Sequence, residues 1–107
     1  MESLLVMTTL PDAASAERIA GLLVGQRLAA CVNILPGTRA VYRWQGALEH
    51  NEEVPLLIKT TSARYAALET MLRNEHPYEL PEIVAVPITC GLPAYLDWVA
   101  AETLATP

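Results

Sequence analysis

Basic charge is scarce in this chain. Seven Lys and Arg residues stand against twelve Asp and Glu, for a formal net charge of −5. The cations, among them Arg18, Arg27, Arg43, Lys59 and Arg64, are scattered rather than gathered. Binding to phosphate backbones needs a basic face, so nucleic acid is not an expected partner. No run of cations suits an anionic membrane surface either. Cysteine is sparse: Cys31 and Cys90 lie far apart and form no CxxC pair. Without a secretion signal they read as free thiols. Long apolar runs are missing, and none reaches the roughly 18 residues that a bilayer span requires. The N-terminal Met1-Glu2-Ser3-Leu4-Leu5-Val6-Met7 lacks a basic region and a cleavage site, so it reads as a strand, not a signal peptide.

What the chain does have is apolar residues. They make up 52% of its 107 positions, against 18% charged. That length implies one domain, residues 1–107. The apolar excess is high for a small monomer and points to a subunit interface.

Periodicity gives the elements. Ser3 to Thr9 is a short apolar strand, broken at Leu10-Pro11-Asp12. Asp12 is a helix N-cap. Ala16, Ile19, Ala20, Leu23, Val24 and Leu28 then recur at helical steps, which predicts a helix ending near Leu28. Ala29 to Leu35 predicts a strand entering the Pro36-Gly37 bend. Arg39 to Trp44 alternates, Gln45-Gly46 is a turn, and Leu48 to Thr60 returns as a long strand. Pro55 belongs at an edge or bulge, since it cannot donate to a ladder. Ser62 caps a second helix carrying Tyr65, Leu68, Met71 and Leu72. Ile83 to Thr89 predicts a buried strand. Pro93 starts a short third helix with Tyr95, Leu96, Trp98 and Val99, and Thr103 to Pro107 is a frayed tail.

The order is strand, helix, strand, strand, helix, strand, helix. It is the split βαβ pattern: a ferredoxin-like α+β βαββαβ sandwich with an extra C-terminal helix. The expected architecture is an antiparallel sheet with helices on one face. The middle hairpin, about Arg39 to Thr60, is longer than the sheet needs, and its open edges call for intersubunit pairing.

The densest local signal is His76-Pro77-Tyr78-Glu79-Leu80-Pro81-Glu82. Each proline removes a donor and restricts the residue before it. Together with Leu28 to Asn33, Tyr42 to Gly46, Ile58 to Thr61 and Gly91 to Trp98, this stretch resembles the CutA family of divalent-cation tolerance proteins. The resemblance covers almost the whole chain. It implies a ferredoxin-like homotrimer with intersubunit strand pairing, a cytoplasmic location, tolerance of divalent metals with copper binding in some members, and no enzymatic activity. It implies no organic cofactor.

Members for which copper ligation is proposed carry a cysteine late in the first strand and two adjacent histidines before the proline. Thr8, Glu75 and His76 occupy those positions here. Imidazole suits copper and zinc, and carboxylates add harder oxygens. His76 with Glu75 and Glu79 is therefore the candidate metal set; the competing reading is that His76 makes a structural hydrogen bond at a helix end. Cys31 reads as a small buried hydrophobe, and His50 as solvated. The resemblance also implies a cleft between subunits near Tyr42, Trp44, Glu53 and Lys59. An aromatic wall with one acid and one base suits an anionic or zwitterionic small ligand. The competing reading is interface packing. A Gly-rich phosphate loop is missing after the first strand, where Thr8-Thr9-Leu10-Pro11-Asp12 stands, which argues against an acylphosphatase. The alternative function is a trimeric small-ligand sensor similar in shape to PII-type signalling proteins.

Overall fold

Apolar residues spaced two apart build the strands, and those spaced three or four apart build the helices. Their order is β1 (Ser3–Leu10), α1 (Ala13–Gly25), β2 (Cys31–Ile34), β3 (Thr38–Trp44), β4 (Ala47–Thr61), α2 (Ser62–Glu75), β5 (Val84–Pro87) and α3 (Pro93–Glu102). The computed structural model describes residues 2–105. Met1 of the expected first strand and the end of the expected tail lie outside the described residues.

The antiparallel sheet runs β2-β4-β1-β5, with β3 pairing the first half of β4. This is the ferredoxin-like α+β fold. Val6, Leu10, Leu56 and Ile58 point from the sheet into a buried cluster with Ile19 and Leu23 of α1 and Leu68 and Leu72 of α2. Each such side chain contributes about 1.5–3 kcal/mol of burial. Leu5, Met7, Leu57 and Lys59 alternate with these core positions and take the opposite face, where they are half-buried. The two crossover helices share one face. The added α3 touches β1 and β4 and brings the Tyr95 hydroxyl to Cys31, which pairs with Lys59 on the other face.

β2 and β3 are two segments of one arm. Ile34 pairs with Leu56 and Thr38 with Glu53, so three residues (35–37) face two (54, 55). That extra residue is a bulge at Leu35-Pro36-Gly37. Beyond it the β3–β4 ribbon leaves the sheet and closes at Gln45 and Gly46, with φ of 49° and 82°. Two positive φ values match the right-handed twist of a two-residue hairpin.

Several elements differ from expectation for local reasons. Helix α1 stops at Gly25, not Leu28, because Arg27 turns left-handed at φ 59°. Leu28 is still buried, so it keeps the helical spacing without helical geometry. Asp12 does cap α1, accepting the Ser15 N–H at 2.7 Å. Thr61, not Ser62, is the cap residue of α2, with no side-chain cap bond; the Ser62 N–H goes to the Glu2 carbonyl at 2.8 Å. Pro55 does lie at a bulge, opposite the extra residue of 35–37, although β4 is an interior strand. Its carbonyl accepts from Leu35 N–H at 3.0 Å, so its missing donor faces the place where β2 ends. β5 is shorter than expected and exposed, with Val84 and Val86 at 45% and 44%. As an edge strand it has no second neighbour among the described residues to bury it. Cys31 is half-buried rather than buried, and Cys90 is exposed; both are free thiols. His50 is exposed.

Candidate functional site

Side chains alternate along the ribbon, and directly paired residues share a face. The registers Ala40↔Asn51 and Tyr42↔Glu49 put Ala40, Tyr42, Trp44, Asn51 and Glu53 on one face. Val41 and Arg43, paired with His50 and Leu48, take the other. Thr9 pairs with Pro55 and so shares the face of Glu53. Its hydroxyl donates to Glu53 Oε2 at 3.1 Å. The Asn51 amide donates to the Tyr42 hydroxyl.

The loop after α2 closes the opposite wall. Pro77 cannot continue the helix, and His76 is extended at φ −74°, ψ 135°. His76 is 8% exposed. Its Nε2 lies 2.8 Å from the Thr9 carbonyl oxygen, which can only accept, so Nε2 carries the proton. Nδ1 then accepts the Tyr78 N–H at 3.2 Å. Burial pushes the His76 imidazole below its ordinary value, outweighing the Thr9 bond and the charge of Glu53. Tyr78 turns its phenol toward Glu53. Burial, then the hydrogen bond and charge of that carboxylate, hold the phenol well above its usual range. Arg18 anchors the base of the loop, donating to the Glu75 carboxylate at 2.8 Å and to the Glu75 carbonyl at 3.0 Å.

Between ribbon and loop lies a cleft of about 640 Å³, walled by Tyr42, Trp44, Tyr78 and Leu80 and bearing Glu53, Glu79 and Glu82. Tyr42, Trp44 and Glu53, expected together, are brought together here. Lys59 is not with them. It is six residues further along β4, roughly 20 Å at strand rise, where its ammonium meets Asn33 Oδ1 and lies 4.0 Å from Cys31 Sγ. Thr9, Asn51 and Tyr78 are site residues to which the sequence assigned no role. Parity along β1 was the available signal for Thr9, since its neighbours Thr8 and Leu10 take the core side.

The expected metal set is dispersed. His76 spends both ring nitrogens, Glu75 is paired with Arg18, and Glu79 belongs to the cleft wall. Thr8 faces the core, fully buried with an unpartnered hydroxyl. Among the described residues no group of three or more His, Cys, Asp or Glu could hold a metal ion. These side chains do not fit a resident metal centred on His76. Among the described residues no helix is long and apolar enough to cross a membrane.

Comparison with known proteins agrees over nearly the full chain. The profile of the CutA1 divalent ion tolerance protein family matches residues 4–102. The divalent-cation tolerance protein CutA of Thermus thermophilus is 47% identical, covering 92% of this chain and 95% of its own. The crystal structure of CutA from Xylella fastidiosa superimposes with a TM-score of 0.93 at 48% identity, covering 96% of this chain and 99% of its own. That of CutA1 from Oryza sativa gives 0.95 at 37% identity, covering 99% and 97%.

Proposed function

The chain belongs to the CutA1 divalent ion tolerance family, and on that premise we propose that it is a homotrimeric divalent-cation tolerance and response protein of the cytoplasm. Copper is among the cations it meets, binding is weak, and the protein performs no catalytic step. The relatives it matches are named as tolerance proteins, not enzymes.

The observation that carries this reading is the ribbon. β1 stops at the Leu10–Val54 pair, so among the described residues no strand pairs with 47–53 of β4 on that side. Val41 and Leu48 on the ribbon are 61% and 62% exposed. Open ladder groups beside exposed apolar side chains favour pairing with further copies of the chain. Cation contact in this reading is made by carboxylate oxygens of the cleft, Glu79 first, rather than by the engaged His76. Dispersed oxygen donors give weak binding, in keeping with tolerance rather than storage.

A second reading, a trimeric sensor of a small ligand, is favoured by the cleft itself, whose volume suits a metabolite. Sedimentation of the full chain and calorimetry with Cu²⁺ on demetallated protein test the first reading. A trimer that binds Cu²⁺ weakly, with the heat reduced in Glu79→Gln and kept in His76→Gln, is the expected result. A monomer at micromolar concentration, or no Cu²⁺ heat at any concentration tested, overturns it. A deletion strain that grows like its parent in graded copper, zinc and cobalt would remove the physiological part.

A further inference from the structure

We propose that the ribbon–loop cleft recognises a small organic cation, an alkylammonium or guanidinium compound, with Glu53 as its counter-ion and Tyr42, Trp44 and Tyr78 as its walls. The proposal rests on the reading of this cleft as cation-responsive and names the class of cation.

Three independent features of the cleft lead there. The first is the sign of its charge. Glu53, Glu79 and Glu82 line it, and the one cation in its lining, Arg43, is paired with Leu48 on the outer face of the ribbon. Strand alternation therefore puts the Arg43 side chain on the ribbon face opposite that of Glu53. Lys59 of the same subunit is held at Cys31 and Asn33, so among the described residues of the subunit carboxylates outnumber cations three to one in the cleft lining.

The second feature is the state of Glu53. It is half-buried and accepts a hydrogen bond from the Thr9 hydroxyl at 3.1 Å, and the Tyr78 phenol faces it. The ion pairs among the described residues are Arg18–Glu75 and Arg27–Glu102, and neither reaches the cleft. A carboxylate drawn partly out of water without an opposite charge is costly, and a cationic ligand would offset that cost. The clamp on Glu53 also fixes its position before a ligand arrives, which lowers the ordering cost of binding.

The third feature is the wall chemistry. A tightly held metal ion needs several converging oxygens at about 2.0–2.6 Å; among the described residues no group of three or more His, Cys, Asp or Glu supplies them, so a divalent ion binds here only weakly. The carboxylates here are spread around a cavity of about 640 Å³. An organic cation tolerates that spread. Its alkyl part lies against Leu80 and the aromatic rings, while its ammonium lies over a ring face within about 6 Å and toward a carboxylate. Two cationic groups joined by a short chain would use Glu53 and the loop acids together.

The test is calorimetry on the intact protein with 1,4-diaminobutane and butylammonium, set against butanol and butyrate, with Cu²⁺ titrated in parallel. Saturable binding of the two amines, tighter for the diamine, with no saturable heat from butanol or butyrate, is expected. Glu53→Gln and, on the exposed loop, Glu79→Gln should each weaken the diamine at least tenfold; Tyr42→Leu should do the same through the lost ring face. Absence of amine binding, or equal binding of butyrate, overturns the proposal, as does unchanged affinity in both Glu variants. Cu²⁺ binding without amine binding sinks the organic cation and leaves the divalent-cation reading standing. Amine binding without Cu²⁺ binding does the reverse.

Discussion

The imidazole Nε2 of His76 donates to the carbonyl oxygen of Thr9 at 2.8 Å, joining the end of β1 to the loop that closes the cleft. The same ring accepts the Tyr78 N–H, and the His76 and Tyr78 rings lie 4.8 Å apart. One side chain thus sets the position of both a strand end and a cleft wall.

That pair of hydrogen bonds requires neutral imidazole, since a proton on Nδ1 would face the Tyr78 N–H. Burial lowers the folded-state value below the ordinary 6.5, with Glu53 pulling the other way. The folded state therefore binds fewer protons here than the unfolded chain, and stability falls as pH drops below about 6.5. Urea denaturation between pH 8 and pH 5 should show this loss, and His76→Gln should remove most of the slope. His76→Ala should cost about 1–3 kcal/mol at pH 8, because Thr9 and Tyr78 each lose a partner. An unchanged midpoint in the alanine variant would count against the clamp.

Thr8 is fully buried, and its hydroxyl has no partner. Thr8→Val replaces that hydroxyl with a methyl of nearly the same size. It should stabilise the protein by about 1 kcal/mol. Thermal unfolding of the two proteins at one pH decides the matter; a destabilised valine variant would mean that the hydroxyl is satisfied.

Trp44 is half-buried at the far end of the ribbon, away from the α1–α2 core. Trp44→Ala should weaken the proposed trimer at least tenfold, about 1.4 kcal/mol, and leave far-UV circular dichroism nearly unchanged. Sedimentation equilibrium reads the first and dichroism the second. A trimer of unaltered strength would assign Trp44 to the cleft alone.

Gly46 sits at φ 82° in the ribbon turn, with open space where a Cβ would project. Gly46→Ala meets no neighbour, so its cost is backbone strain alone, about 1–2 kcal/mol. Chemical denaturation should show that loss, and Gln45→Gly, which relieves φ 49° at the preceding residue, should show a smaller change or a gain.

The apolar run from Ile83 to Ile88 shows where reading by composition stops. It looks like a buried strand, yet β5 is an exposed edge within the subunit. An apolar run reports that a face wants cover without saying which chain supplies it. Leu28 shows a related limit: its spacing from Leu23 and Val24 fits a helix, and its side chain is buried from a loop.

Local chemistry alone settled the element types, the Asp12 cap, the Gln45-Gly46 turn and the length of the ribbon, because each depends on residues within one turn or one pleat of each other. Tertiary structure decided the cleft. Thr9 meets His76 across 67 positions and Glu53 across 44, distances that leave no periodic trace in the chain. The bulge at 35–37 shifts the β3 register by one residue and so turns Tyr42 and Trp44 to the face of Glu53. Side-chain direction in a strand has a period of two, so that single extra residue determines which face of the ribbon carries the aromatic rings.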